Sequence, residues 1–339
     1  MFNAENSRFI IMLPRRFSAV VDPLLAPIVN PSRSVIMIGF WRSGSTWLVE
    51  SLGEILRAKS IFEPFNARVP GALALYAPTG RPDWRLNLPT YAPFVAGRLP
   101  AGSAAYAHVR AALRGGVRTM FVRQSRRRLG EAFRLRVAVK SVQGHLMAAA
   151  AARTFGCPLL ILRRDPRAIM ASIKRVKWAR IFDHLSLRGQ LLGVGDGRAA
   201  VFERWSAQIT AYEEGDFLHK AAVYWAALEW YLEESTRDLG AQAVTVDYED
   251  LVMNPEPQIA RILAACGAAA RPVGEGKMSA RASVSTLRSE MSQPKDPQAR
   301  LLGWRSVLTP EEAAAVEKIA GSFGLENRLW SPDAGEEKR

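Results

Sequence analysis

The chain has 339 residues, 48% of them hydrophobic, which is enough apolar material to bury a full core. It carries a formal net charge of +14 and contains no run of eighteen apolar residues, so a membrane-spanning helix is not expected. Four histidines, none in H-x-x-x-H spacing, and two isolated cysteines, Cys157 and Cys266, argue against a zinc site and against a disulfide scaffold. Each cysteine sits among apolar residues, and reduced core thiols point to a reducing, cytoplasmic compartment.

Residues 1–33 read as an N-terminal extension. Within it, the apolar run from Phe9 to Leu13 is too short for a signal-peptide core and is followed, not preceded, by Arg15 and Arg16. Residues 9–29 have the character of an amphipathic segment, which lies on a membrane or packs on the domain. The β-branched run Val35 to Ile38 predicts a buried strand that breaks at Gly39. From Ser45 onward, Thr46, Leu48, Val49, Leu52, Ile55 and Leu56 fall at helical spacing. A strand, a glycine-containing turn and a helix N-terminus together make a phosphate cradle, where unpaired N–H groups and the positive end of the helix dipole converge on one anion. The spacing Gly39, Gly44, Thr46 mimics the nucleotide loop G-x-x-x-x-G-K-[ST], except that Ser45 stands where the lysine belongs. That lysine normally reaches the β- and γ-phosphates. A loop without it, but with Arg42 inside the turn, suits a nucleotide with fewer linked phosphates.

Further strands are expected over 59–63, 136–140, 158–162 and 243–247, alternating with helical stretches. Glu63 ends the first of these and Lys140 the second. After the third, Asp165 is a sound N-cap and Pro166 fits the first turn of a helix running to Arg175. Phe217 to Leu239 reads as a well-buried helix, and another begins near Thr309. The alternation predicts an α/β fold of three layers, a central parallel sheet flanked by helices, with helical and loop insertions, as a single domain over 1–339. Residues 67–135, rich in Pro, Gly, Arg and aromatics, are too long for a simple crossover and read as an insertion that forms an acceptor site or lid, with a short helix around 102–114. Arg110, Arg114, Arg118, Arg123, Arg126, Arg127, Arg128, Arg134 and Arg136 crowd this stretch. They make a solvated basic face, or else meet an anionic acceptor or a membrane surface; no nucleic-acid-binding motif accompanies them.

The segment Arg42-Ser43-Gly44-Ser45-Thr46-Trp47 resembles the 5′-phosphosulfate loop of sulfotransferases that use 3′-phosphoadenosine 5′-phosphosulfate (PAPS). The resemblance implies that Arg42 meets the bridging oxygen and sulfonate, that Ser43, Gly44, Ser45 and Thr46 hold the 5′-phosphate, and that Trp47 lies against adenine. The strand and helix around Arg164 and Ser172 are similar to the family's 3′-phosphate site, and Tyr248 matches a residue that neighbours adenine in some members. Lys140 matches the central-strand lysine near the transferred group, and Gly303-Trp304-Arg305 resembles the part that closes over the cofactor. The pair Glu63-Pro64 resembles one in carbohydrate and bacterial members in which the Glu is the base, so the implied catalytic set is Glu63, Arg42 and Lys140, with PAPS as co-substrate and no metal.

The cytosolic branch of the family places a histidine base where this chain has Val142; His145, in a stretch that reads as helical, is the runner-up base. The acceptor implied is a hydroxyl of a carbohydrate or lipid-linked group, an anionic glycan or glycolipid being favoured by the charge. Peripheral membrane contact is a second use for that charge. The competing readings are a P-loop kinase or NTPase, disfavoured by the missing lysine, and a non-catalytic anion- or glycan-binding relative.

Overall fold

The computed structural model describes residues 20–76, 92–119, 129–268 and 296–330. Five parallel strands, β1 (Val35–Ile38), β2 (Ala58–Phe62), β3 (Arg136–Ser141), β4 (Leu159–Arg163) and β5 (Ala243–Asp247), lie in the order β2-β3-β1-β4-β5. The expected strands are all found, within one or two residues of their predicted ends.

β1 is buried at every position, as are β2 and β4, which is the pattern of a sheet covered on both faces. Alternate residues feed different layers. Ile36, Ile38, Ile61, Val137, Val139, Leu159 and Ile161 pack with helices α2 (Ala104–Leu113) and α3 (Ala148–Phe155). Val35, Met37, Phe62, Ala138, Leu160 and Leu162 pack with α1 (Ser45–Ile55) and with Ile259, Ile262 and Leu263 of a later helix, Pro255–Ala265. This period of two, with apolar residues on both sides, makes the three layers.

A further core joins Phe40 and Leu146 to α4 (Pro166–Arg175), α5 (Phe217–Thr236) and α6 (Pro310–Ser322). Asp165 caps α4 by accepting from the Arg167 N–H, with Pro166 in the first turn, as the sequence reading requires. α6 opens with a full capping box between Thr309 and Glu312. Phe217–Thr236 carries Ala221 to Leu228 wholly buried, which explains why it is apolar on more than one face.

Within 67–135, the described parts are packed into the core: Val69, Ala72, Leu75, Tyr76, Leu99, Val109, Ala112 and Leu113 join the α2–α3 side. The helix expected around 102–114 is α2, capped by Ser103. Arg123, Arg126, Arg127 and Arg128 lie outside the described residues, as do Phe9 to Leu13 and the Arg15-Arg16 pair.

Strand order places the ligand edge. The chain leaves β1 for β2 on one side of it and later enters β4 on the other, so β1 sits where the crossovers diverge. In open α/β sheets the crevice beyond the strand C-termini at that point is where ligands bind.

Away from that edge, residues 20–25 are helical and their Asp22 meets Lys59 of β2 at 3.0 Å, with the lysine side chain 1% exposed. Removing one partner of a buried pair leaves an uncompensated charge, which costs about 3–5 kcal/mol. Asp22→Ala should therefore lower the unfolding free energy by that order, moving the urea midpoint down accordingly, and Lys59→Met in the same chain should recover much of the loss; the test is a set of equilibrium unfolding curves on both single variants and the double variant.

Candidate active site

Beyond β1 the chain turns tightly at Gly39. A Cβ there would lie 2.6 Å from Ser43 Oγ and 2.9 Å from the Leu162 carbonyl, so only glycine lets the loop pack against β4. Gly44 has φ +91° and caps α1; a Cβ on it would stand 2.7 Å from the Tyr248 ring. No side chain caps α1, which leaves the N–H groups of its first turn directed at the crevice. Ser45 and Trp47 are buried within that helix, and Thr46 is half-buried beside them.

Ser43 is fully buried, and its hydroxyl has no hydrogen-bond partner among the described residues. A sealed, unpaired hydroxyl costs about 1–3 kcal/mol, a cost removed when a ligand oxygen meets it.

Arg42 adopts φ +68°, a conformation unusual for a residue with a side chain. Its Nε donates to Ser172 Oγ at 3.0 Å, and its carbonyl accepts from Arg164 Nη1 at 2.8 Å. The loop after β1 and the helix after β4 are thus stitched together through one residue. The sequence reading paired Ser172 with Arg164; the structure adds Arg42 between them. Arg164 also lies over the Tyr248 ring at 4.5 Å, and Tyr248 meets Trp47 edge-on at 5.9 Å.

The electrostatics of this corner are lopsided. Burial, reinforced by the neighbouring charge of Arg164, pulls the pKa of Arg42 down. Among the described residues neither guanidinium has a carboxylate within ion-pair distance. Their sequence neighbours do: Arg163 pairs with Glu229 and Glu233, and Arg167 with Asp165 and Glu317. Two converging cations left without an anion, beside an unpaired hydroxyl and a helix N-terminus, fit a phosphate-bearing ligand.

The second half of the site follows from register. Phe62 pairs with Lys140 across β2 and β3, so Glu63 emerges beside the end of β3. Glu63 turns at φ +51°, and its N–H donates to the Lys140 carbonyl at 2.7 Å. This turn brings Glu63 Oε1 to Lys140 Nζ at 2.5 Å and Oε2 to the Val142 N–H at 2.9 Å. Both side chains are buried. The partner of Glu63 is therefore Lys140. A carboxylate has about four lone-pair sites, so two remain for a substrate proton.

His145 departs from its expected place. It lies in a turn ahead of α3, which begins at Ala148, because Gly144 and the residues after it carry the chain from β3 across the sheet end. Its ring is fully buried, edge-on to Phe40 at 6.1 Å, and burial pushes its pKa down to about 3, opposed in part by the Val142 backbone. It is neutral and sealed from solvent at neutral pH.

Glu249 is a participant that sequence reasoning missed. It is buried and accepts from the Asp165 N–H at 3.1 Å, tying the second residue after β5 to the N-cap of α4. Its only signal was its place beside Tyr248, and an acid in a first helical turn is usually a surface residue. Trp304 packs under the Arg167 guanidinium at 4.4 Å, and Gly303 offers its carbonyl to Arg175 at 3.3 Å. Among the described residues no group of three or more His, Cys, Asp or Glu side chains is arranged to hold a metal, and no helix is long and apolar enough to cross a membrane.

Residues 34–272 match the profile of the sulfotransferase family. The chain belongs to that family, and it is an enzyme of PAPS-dependent sulfuryl transfer, as the motif resemblance implied. No curated protein matches it. Among solved structures it is similar to a mouse sulfotransferase, SULT7A1, complexed with PAP, at 12% identity over 89% of this chain and 86% of that one, with TM-score 0.40. It is also similar to the sulfotransferase domain of the curacin biosynthetic pathway, at 14% identity over 86% and 97% of the two chains, with TM-score 0.41. A third likeness is to the sulfotransferase domain of the Synechococcus PCC 7002 olefin synthase, at 14% identity over 86% and 94%, with TM-score 0.38. These likenesses are remote, and membership rests on the family match.

Burial, outweighing the attraction of Arg164, raises the Glu249 carboxyl from its ordinary value to about 8. The folded chain therefore holds a proton there that the unfolded chain releases above about 4.5. Its contribution to stability is complete below that pH and is lost as pH rises toward about 8. Glu249→Gln, which still accepts from Asp165, should flatten this part of the fall; melting temperatures of both proteins across pH 4.5 to 8 supply the comparison.

Proposed function

We propose that the crevice between the β1 loop, β3 and the α4 N-terminus binds PAPS and passes its sulfuryl group to a hydroxyl of a carbohydrate or lipid-linked acceptor. The observation that carries this is the Arg42–Arg164 pair, joined backbone to side chain and lacking a carboxylate among the described residues. PAPS brings, when bound, a sulfuryl group on a phosphate leaving group.

The chain's own part is division of labour. Ser43, Gly44, Ser45 and Thr46, with the α1 first-turn N–H groups, clamp the 5′-phosphate. Arg42 neutralises the bridging oxygen. Arg164 and Ser172 take the 3′-phosphate, and Trp47 with Tyr248 forms the apolar wall for adenine. Lys140 holds positive charge near the transferred group, where preorganised cations act most strongly. Glu63, held at both oxygens, has lone pairs left to take the acceptor's proton. A metal is not needed in this scheme, because fixed donors already hold the leaving phosphate.

An anionic glycan or glycolipid acceptor is supported by the net charge of +14, which steers anions toward the protein. Peripheral membrane contact is supported by Val20, Leu24 and Ile28, which are all exposed on the N-terminal segment. A cytoplasmic setting is supported by the two free, buried thiols, which burial pushes up to about 12 at Cys157 and about 11 at Cys266. The acceptor is found by transfer of radiolabelled sulfur from PAPS into fractionated cell extracts, with glycan and lipid fractions scored separately.

Arg164→Ala should weaken adenosine 3′,5′-bisphosphate binding by about 1.5–3 kcal/mol more than it weakens adenosine 5′-phosphate binding, the range for a hydrogen bond to a charged group. Equal losses in calorimetric titrations of the two nucleotides would contradict the assignment.

Glu63→Gln keeps size and one acceptor oxygen for Lys140 but cannot take a proton at neutral pH. Turnover should fall by about 10²-fold or more while bisphosphate affinity stays within a factor of a few. A purely structural Glu63 predicts instead that affinity and melting temperature fall with the rate. Normal turnover in the variant moves the base elsewhere.

A further inference from the structure

Four successive backbone carbonyls carry Glu63 around its turn, and each has its own donor. The Phe62 carbonyl accepts from Thr119 Oγ1 at 2.7 Å, and the Glu63 carbonyl from the Asn66 N–H at 3.2 Å. The Pro64 carbonyl meets His108 Nε2 at 2.8 Å, and the Phe65 carbonyl accepts from Tyr76 Oη at 2.8 Å. Only one of the four bonds is local. The other three come from side chains scattered over 43 residues of sequence, all of them inside the stretch 67–135.

These donors are built in, not incidental. Thr119 and His108 are 8% and 7% exposed, and Tyr76 is 2% exposed. A carbonyl can only accept, so His108 must carry its proton on Nε2. Burial keeps that imidazole neutral by pulling its pKa down, against the smaller opposing effect of the Pro64 carbonyl. The ring's other nitrogen leaves no room for a side chain at Gly71, where φ is +85° and a Cβ would lie 2.9 Å from Nδ1. Gly71 thus seats the histidine that seats Pro64.

The turn needs this help. Glu63 is one of four non-glycine residues with positive φ among those described. Such a conformation costs about 1–3 kcal/mol and persists only where the surroundings over-determine it. Pro64 contributes no N–H to stabilise the turn from within. The ladder between β2 and β3 ends at the Phe62–Lys140 pair, so it does not reach beyond Glu63's own N–H.

We infer that Tyr76, His108 and Thr119 are positioning residues for sulfuryl transfer, clamping the Phe62, Pro64 and Phe65 carbonyls so that Glu63 stays poised against Lys140. This rests on Glu63 being the base. It gives the insertion a task besides that of framing the acceptor: a mispositioned carboxylate loses rate steeply, because displacement by about 1 Å can cost about 10²-fold.

The test uses the full-length enzyme, radiolabelled PAPS and the extract fraction that accepts the label. His108→Leu and Tyr76→Phe should each lower the maximal rate at least tenfold with half-saturating PAPS within twofold of wild type, and His108→Gln, which keeps a donor, should recover most of that loss. In a Glu63→Gln background His108→Leu should cost less than a further twofold, because the group it positions is already disabled. Tyr76→Phe removes a single oxygen and remains decisive should His108→Leu fail to fold. An unchanged maximal rate in Tyr76→Phe overturns the clamp. So does a His108→Leu loss that persists in full without Glu63. A wild-type rate in Glu63→Gln alone overturns the base assignment, and the clamp with it, and is told apart because it needs no clamp variant.

Discussion

The site depends on two arginines held against each other. Arg164, just after β4, reaches the carbonyl of Arg42 in the loop after the neighbouring β1, and Arg42 reaches back to Ser172 on the helix that Arg164 precedes. The first bond fixes Arg164 on the backbone that carries Arg42, and the second fixes Arg42 on the helix after β4. Burial first, and the charge of Arg164 second, hold the pKa of Arg42 below its ordinary value. Nearby carboxylates are not spent on relieving it: Asp165 is engaged by Arg167 and by the Trp330 N–H, while Glu229 and Glu233 engage Arg163. Among the described residues, two cations with no carboxylate within ion-pair distance therefore meet at the corner beside the α1 N-terminus. This is how a chain with +14 overall can still present a localised anion site.

Two of the four non-glycine residues with positive φ among those described lie at this edge of the sheet. Arg42 and Glu63 both take left-handed backbone conformations, one in the loop after β1 and the other in the turn after β2. In each case the unusual φ aims a side chain that straightforward continuation of the strand would send elsewhere. Between them lies β3, whose Lys140 is flanked in register by Met37 and Phe62. The sheet therefore acts as a jig: parallel strands in the order β2-β3-β1-β4 deliver Glu63, Lys140, the β1 loop and Arg164 to one edge in that sequence.

In the loop after β1, Ser45 stands where a nucleotide triphosphate loop has its lysine. The physical consequence is visible in the fold. Positive charge enters the crevice from Arg42 within the turn and from Arg164 on the neighbouring strand end, so it is spread laterally across the sheet edge. A triphosphate loop concentrates its charge along the axis of one helix. A ligand with phosphates on two sides of a ribose matches the lateral arrangement better than a linear chain of them.

What could be read from sequence was whatever depends on local order. β1 and β4 were legible because their apolar runs had no polar break, the helix starts because Asp165, Pro166 and Thr309 cap in known ways, and the loop because Gly39 and Gly44 sit at the spacing of a phosphate-binding loop. What the tertiary structure decided was partnership. Nothing local tells that Glu63 pairs with Lys140, 77 positions away, or that Arg42 bonds to Ser172, 130 positions away. His145 belongs to a stretch that reads as helical, yet the turn from β3 toward α3 sets its place. The roles of Tyr76, His108 and Thr119 were invisible because each donates to a backbone carbonyl, and a carbonyl leaves no mark in a sequence. Periodicity and capping act over a few residues and are written in residue type; strand register and long-range hydrogen bonds depend on which segments meet, which only the folded chain determines.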